Sequence, residues 1–402
     1  MSIIDVLNTD TILCILDYLS DKDKIFFFMT NSNIYDLRCH VNYWDLYHYD
    51  TIKNLTFSNK FKRLIYNRKN KVKKSKTKSK NPNEFVVKGK KIIIPKNTTH
   101  LKFYKNFNKP IHNCRNESQP AARGPAVCQT ILDKSGEFLM GQGIPNSVTH
   151  LTFGDEFNQP IHGCISNSVT HLTFGYYFNR CIRNCIPNSV THLRFGDHFD
   201  QYIYNCIPNS VTHLTFGFFF DQNIRNCIPN SVTHLTFGND FNQNIQDCIP
   251  NSVTHLRFGY WFNQDIKNCI PESVTHLEFG NWFDQDIKNC IPNSVIHLTF
   301  GHWFNKDIRD CIPDSVTHLT FGDDFNRSIY DSIPNSVTHL TLGYNLTQIL
   351  SNKISKYENK TQSTIYKQYI PDNVTHLTIK YKINNKVLQK LPKTITHLYY
   401  NY

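Results

Sequence analysis

The chain has 402 residues and a formal net charge of +12, from 44 lysines and arginines against 32 aspartates and glutamates. This length is enough for two or three ordinary domains, and the balance of apolar, glycine and proline residues favours a chain that folds. There is no N-terminal apolar stretch of the signal-peptide kind and no apolar run of about 18 residues, so we expect neither secretion nor a membrane span, and we expect the 13 cysteines to be reduced thiols.

The first fifty residues have the apolar spacing of helices. A first helix is indicated by Ile12, Ile15, Leu16 and Leu19, which follow the i, i+3, i+4, i+7 pattern. Ser20 and Asp23 have the form of a capping box that would start a second helix. A third helix is indicated by Ile34, Leu37, Val41 and Trp44. The sequence therefore predicts a small helical module over residues 1–50.

The run "LNTDTILCILDYLSDKD", from Leu7 to Asp23, resembles the F-box, a small three-helix module. The family usually has proline after the first leucine, where this chain has Asn8. The resemblance implies contact with the adaptor subunit of a cullin-based ubiquitin ligase through six residues: Leu7, Ile12, Ile15, Leu16, Leu19 and Ile25. The alternative is a helical cap that protects the first unit of the repeat array that follows.

The positive charge is concentrated in one segment. Between Lys60 and Lys91 there are fourteen lysines and arginines and one acid, Glu84, which leaves the rest of the chain close to neutral. Like charges at this density repel, so we expect residues 51–91 to be a basic, partly disordered linker. The alternatives are a nuclear-import signal and a tail that binds nucleic acid.

A repeated phrase occupies most of the remaining chain. "IPNSVTHLTFG" begins at Ile144, and its histidine recurs ten times from His150 to His339 with a spacing of 21 residues. Looser copies surround His100, His376 and His397. A fixed period of this length is the signature of a solenoid, in which each unit buries its apolar side against its neighbours. Alternation of polar and apolar residues in "THLTF" predicts one short strand per coil, with leucine and phenylalanine inward.

The same units resemble a known repeat. The phrase "FNQPIHGCISNSVTHL", from Phe157 to Leu172, resembles the FNIP repeat, a relative of the leucine-rich repeat known from slime moulds and giant viruses of amoebae. The predicted fold class is α+β: a three-helix F-box-like module over 1–50 and a leucine-rich-repeat-like β solenoid with 21-residue coils over 92–402. Insertions at 115–143 and about 347–365 interrupt the period.

A repeat array turns sequence positions into rows. The histidine row is expected to form a hydrogen-bonded ladder of neutral imidazoles, because closely stacked charges repel; a pH switch or a metal-binding strip is the alternative. The cysteine row from Cys164 to Cys311 lacks paired zinc-ligand spacing, so we expect core packing and neither a metal nor a cofactor. A row of Asn or Asp is expected to satisfy turn backbone groups: Asn158, Asn179, Asp200, Asp221 and Asn242.

The most variable row is the pair of residues that follows each strand glycine. It contains several aromatic residues, and exposed aromatic patches rimmed by charge often mark binding sites. The alternative is that these rings cover the turn of the next coil. The candidate substrate-binding residues, with three exposed strand positions, are Tyr176, Tyr177, Arg194, Phe218, Phe219, Arg257, Tyr260, Trp261, Glu278, Trp282 and Trp303.

Together these features predict a non-catalytic, substrate-recruiting adaptor of an SCF-type ubiquitin ligase. The expected partners are a host cullin complex with its adaptor protein and an unidentified protein substrate, without a membrane or nucleic acid. We expect a cytoplasmic location; the alternative is the nucleus, if the basic linker acts as a nuclear-import signal. The alternatives are a scaffold that masks a host protein, a nucleic-acid binder working through the linker, and an enzyme using the histidine and cysteine rows, for which no catalytic signature is present.

Overall fold

The computed structural model describes residues 99–103, 105–111, 144–349, 370–380 and 391–400, together with two earlier strands and residues Leu16, Leu19, Ser20 and Lys24. Contacts group the chain into two units, Met1–Gly196 and Asp197–Tyr402. Among the residues described, we find no helix with the length and apolar character needed to cross a membrane.

The first unit contains six parallel strands that pair in chain order. They are β1 (Tyr43–His48), β2 (Phe61–Tyr66), β3 (His100–Phe103), β4 (His150–Thr152), β5 (His171–Thr173) and β6 (His192–Arg194). From β3 onward, equivalent histidines pair directly, as His150 does with His171. The fixed 21-residue period therefore sets the register of the sheet.

The second unit continues the same construction with nine parallel strands. They are β7 (His213–Thr215), β8 (His234–Thr236), β9 (His255–Arg257), β10 (His276–Glu278), β11 (His297–Thr299), β12 (His318–Thr320), β13 (His339–Leu342), β14 (His376–Ile379) and β15 (His397–Tyr400). A helical stretch covers 344–349. The predicted solenoid of 21-residue coils is confirmed, with one short strand per coil.

The core is built from the apolar positions of each coil, which stack on their counterparts. In the coil around β10, Val274, Leu277, Phe279, Phe283 and Ile287 are almost completely buried. Phe279 stacks on Phe283 with ring centroids 4.0 Å apart, and each also stacks on its counterpart in the next coil. Two phenylalanine rows therefore run through the core, as the sequence predicts.

Each described coil from Gly163 to Asp331 contains one residue with a positive φ, directly before the cysteine position. Asn268 and Asn289 have φ of 57° and 56°, and Gly163 has 66°. This left-handed conformation favours Gly, Asn and Asp, the only residue types found there in the coils from 163 to 331. This row is not evident from the sequence alone, because Asn and Asp are also ordinary surface residues.

Polar side chains connect neighbouring coils in the way the Asn row predicts. The Asn242 side-chain oxygen accepts a hydrogen bond from the Asn263 backbone N–H at 2.9 Å, and Asp221 does the same for Asn242. Ser273 adds a second connection by donating its Oγ–H to the Val253 carbonyl at 2.7 Å. The predicted Asn row is confirmed as a ladder that satisfies backbone groups between strands.

The glycine after each strand is required by a close backbone approach. A Cβ added at Gly280 would lie 1.6 Å from the carbonyl oxygen of Gly259, and the other described coils from 154 to 343 show similar approaches within each unit. No side chain fits in that space. The glycine row thus allows the coils to approach closely at the edge that follows the strands.

Two features near the N-terminus correct the sequence analysis. Trp44 lies in β1 and not in a third helix, because aromatic residues favour a paired strand and the Tyr43 side chain is buried there. Residues 61–66 of the predicted linker form β2, which pairs with β3. Leu16 and Lys24 are helical, Leu19 and Ser20 between them are not, and apart from β1 the rest of the predicted three-helix module lies outside the described part. Most of both predicted insertions also lies outside it.

Candidate functional site

The histidines form continuous stacked rows on the partly exposed face of the strands. From His213 to His397 in the second unit, consecutive ring centroids are 4.0 to 4.3 Å apart. The hydroxyl of Thr254 donates to the Thr233 carbonyl at 3.2 Å, and its oxygen lies 2.9 Å from His255 Nδ1. The threonine hydroxyl therefore links the imidazole of its own coil to the backbone of the preceding coil.

The surroundings of this row favour neutral imidazoles. Burial, followed by repulsion from neighbouring imidazoles, lowers the pKa of His276 and brings the pKa of His318 to about 4. The same causes lower the pKa of His255, His297 and His376. The row is a structural ladder at neutral pH, as the sequence analysis expects.

One position in the ladder lacks its threonine. Ile296 precedes His297, and its apolar side chain is 39% exposed. We expect Ile296→Thr to raise the free energy of unfolding by about 1 kcal/mol, because the new hydroxyl can donate to the Thr275 carbonyl and accept from His297 Nδ1. Urea unfolding measures the change. The matched variant Thr254→Val should lower the free energy of unfolding by a similar amount, and a change of the same sign in both variants would contradict the ladder.

The cysteines are buried thiols that contact backbone carbonyls of their own coil. The Cys269 thiol lies 3.3 Å from the Lys267 carbonyl, and burial raises its pKa to about 11. Cys227 and Cys311 have the same raised pKa, again mainly because of burial. A protonated, buried thiol is a poor nucleophile and a poor metal ligand, so the row contributes packing. Within the described ranges, no group of three or more His, Cys, Asp or Glu residues could hold a metal ion.

Four aromatic residues of the variable row form one continuous surface, which we call the Trp patch: Tyr260, Trp261, Trp282 and Trp303. Trp261 stacks on Trp282 with ring centroids 4.8 Å apart, and Trp282 meets Trp303 edge to face at 3.6 Å. Trp261 is 43% exposed, and the other three residues are half-buried. The coils thus bring together side chains 21 residues apart in sequence.

A separate backbone ladder fixes the Trp patch. The N–H of Trp282 donates to the Tyr260 carbonyl at 2.9 Å, and the N–H of Trp303 donates to the Asn281 carbonyl at 2.9 Å. The backbone that carries these rings is therefore hydrogen-bonded to the coil before it and to the coil after it. Because this backbone is already ordered, little backbone conformational entropy is lost when a partner binds. The Nε1–H of Trp282 is buried without a hydrogen-bond acceptor among the described residues, and it lies in a ring that packs against Trp303.

Acidic residues occupy one of the two row positions in the coil before the Trp patch and both positions in the coil after it. Asp240 precedes it, and burial together with repulsion from Asp221 and Asp200 raises the pKa of Asp240. Asp323 and Asp324 follow it. The sequence analysis did not include Asp240, although it occupies the row position of Trp261 one coil earlier.

The other candidate residues are not members of the Trp patch. Arg257 and Glu278 form an ion pair of 3.3 Å on the exposed strand face. Phe218 and Phe219 pack against each other one coil before Asp240. In the first unit, Tyr176 and Tyr177 form an exposed edge-to-face pair, and Arg194 is exposed at the end of β6.

Only two of the six proposed ligase-contact residues fall in the described part of the chain. Leu16 is helical and fully buried, and Leu19 is half-buried. The other four, Leu7, Ile12, Ile15 and Ile25, lie outside the described residues. Leu19 is therefore the better position at which to test a docking surface.

The structure resembles a solved leucine-rich-repeat protein. A crystal structure of CroV588, described as a circular LRR protein, matches 88% of this chain and 49% of its own chain, with a TM-score of 0.63 and 37% identity. Folds of this kind are typical of proteins that bind other proteins through their repeats.

Relatives from Acanthamoeba polyphaga mimivirus share the repeats. One is named as an F-box and FNIP repeat-containing protein and is 40% identical over 111 residues, 28% of this chain and 36% of the relative. Another, named as an FNIP repeat-containing protein, is 35% identical over 113 residues, 28% of this chain and 25% of the relative. The matches thus span only about a third or less of these relatives.

The FNIP Repeat family matches six segments: 140–162, 157–197, 182–219, 220–261, 262–302 and 304–345. Together these segments cover just over half of the chain, and each contains the strand phrase and core positions described above. The chain belongs to the FNIP repeat family.

Proposed function

We propose that this protein is a non-catalytic adaptor that recruits a protein substrate to an SCF-type ubiquitin ligase in the cytoplasm of a host cell. The observation that carries the binding role is the Trp patch, a partly exposed aromatic surface fixed by backbone hydrogen bonds on both sides. The ligase role is supported by the resemblance of residues 7–23 to an F-box and by the F-box named in one mimivirus relative.

The two parts have complementary roles in this proposal. The N-terminal residues hold the chain on the ligase, and the repeats hold the substrate nearby. This raises the local concentration of substrate at the ubiquitin carrier without requiring any catalytic residue in the chain.

A pull-down from amoebal lysate tests the ligase half. We expect the intact protein to retain a cullin and its adaptor, and we expect Leu19→Asp to lose both, because the charge falls on a half-buried apolar position. The matched control Ser20→Asp places the same charge on the next, exposed residue and should retain them. Circular dichroism checks that both variants keep the solenoid fold.

The main alternative is a scaffold that masks a host protein and does not lead to its ubiquitination. The strand β1 favours this alternative, since the solenoid sheet extends into the predicted F-box region. Absence of cullin from both the intact protein and the Ser20→Asp sample would overturn the ligase role. A nucleic-acid role would instead show binding that falls steeply with salt.

A further inference from the structure

We propose that the Trp patch and its acidic flanks bind an arginine-rich segment of a partner protein. This inference deepens the proposed function and rests only on its protein-binding half. The occupant is identified by the combination of exposed aromatic rings with carboxylates on both sides.

The aromatic part provides π faces for a cation. Tyr260 packs on Trp261 at 4.9 Å and 72°, and Trp261 stacks on Trp282 at 4.8 Å and 30°. The residue with the greatest exposure in this group is Trp261, at 43%. Tryptophan gives the strongest cation–π contacts, and arginine is the cation most often found over aromatic faces.

The flanks supply negative charge that the chain itself does not neutralise fully. Asp323 is paired with Lys380 at 3.1 Å, whereas among the described residues Asp324 has only the distant His302 Nε2, at 3.9 Å, as a possible cation. Asp240 has no ion pair within the described ranges, and neighbouring carboxylates already repel its charge. An arginine beside Asp240 would therefore relieve the repulsion at that end of the patch, and a second arginine of the same segment could pair with Asp324, four coils further along.

Nearby cations of the chain are committed elsewhere. Lys306 pairs with Asp284 at 3.0 Å, and Arg257 pairs with Glu278 at 3.3 Å. Arginine suits the site better than lysine, because its planar guanidinium stacks on indole rings and donates two parallel hydrogen bonds to a carboxylate. An acidic or purely apolar segment would leave the Asp240 and Asp324 charges without a partner.

Peptide titration tests the inference with the full chain. The probe is an alternating Arg-Gly peptide of about twelve residues, long enough to extend over several coils. Three of the four tryptophans lie in the Trp patch, so their fluorescence reports on binding directly. We expect a saturable change with the Arg-Gly peptide, weaker binding of the Lys-Gly peptide, and none of the Glu-Gly peptide.

Variants locate the binding surface. Trp261→Ala should weaken Arg-Gly binding by about tenfold, and Asp240→Asn combined with Asp324→Asn should weaken it by about tenfold and reduce its salt dependence. The control Tyr202→Ala removes a large side chain that is 63% exposed, the highest value among the large apolar side chains of the described residues, at a different position of a coil, and it should leave the affinity unchanged.

Three results would overturn the inference: no saturable change with the Arg-Gly peptide, equal affinity for the Lys-Gly or Glu-Gly peptide, or unchanged affinity in the Trp261 and Asp variants. The peptide titration contains no ligase, so a negative result would not bear on the ligase role that the cullin pull-down tests. In the same way, a pull-down without cullin would not bear on the binding of arginine-rich peptides.

Discussion

Replacing Gly280 with alanine is expected to lower the free energy of unfolding by about 3 kcal/mol. The added Cβ would lie 1.6 Å from the Gly259 carbonyl oxygen and 2.6 Å from its carbonyl carbon. These are backbone atoms inside the ladder, so neither coil can move away without losing hydrogen bonds on both sides. Urea unfolding followed by tryptophan fluorescence measures the loss, because Trp261, Trp282 and Trp303 lie in the affected coils.

The neighbouring substitution Asn281→Ala serves as the matched control. It changes the next residue, whose half-exposed side chain faces no such approach, and should alter stability by less than about 0.5 kcal/mol. A loss below about 1 kcal/mol for Gly280→Ala would mean that the coils can separate at this edge without cost. Because repeat proteins unfold in parts, hydrogen exchange should show the loss concentrated near the substituted coil.

Acidification from pH 6.5 towards pH 4 is expected to destabilise the solenoid before most carboxylates titrate. In the folded chain, burial and neighbouring imidazoles lower the pKa of His255, His276, His297 and His376, and bring that of His318 to about 4. Unfolded histidines have a pKa near 6.5 and bind protons throughout this interval. The unfolded state therefore binds more protons than the folded state, and stability falls as the pH decreases.

The size of this effect depends on the number of stacked rings. Each histidine can add at most one proton to the uptake on unfolding, so the urea midpoint should fall progressively between pH 7 and pH 4.5. Asp240 has a raised pKa, so its protonation favours the folded state as the pH falls. This contribution comes from a single carboxyl group and is outweighed by the row of histidines. His318→Gln should reduce the pH dependence, and an unchanged slope in that variant would contradict the ladder as its source.

The repeat pattern predicts much of the fold because one physical constraint recurs in every coil. The period of 21 sets the register, and alternation around His276 and Leu277 sets which side chains are buried. The cysteine row and the Asn ladder can also be predicted from the sequence. A small thiol repeated in every coil fits a packed core, and a repeated side-chain amide can accept hydrogen bonds from backbone N–H groups of the turns.

Three features could not be predicted from the sequence, because each depends on a contact between residues that are distant in the chain. β1 and β2 lack the repeated phrase, so "YWDLYH" and "FKRLIY" are recognised as strands only through their pairing. The role of Gly280 follows from an approach of two backbones, and not from its own conformation. The link of Asp240 with Asp200 and Asp221 requires knowing that these positions meet across coils.

The uniform 21-residue register also has a consequence for how such a gene can change. Each coil offers its neighbours the same donors, acceptors and ring faces, as Thr254 and Thr275 do on consecutive strands. Duplication or deletion of one whole unit therefore creates a new junction that is already complementary. Recombination can therefore change the number of coils while each product still folds. The coils that carry distinctive surface residues can change in sequence independently of this process.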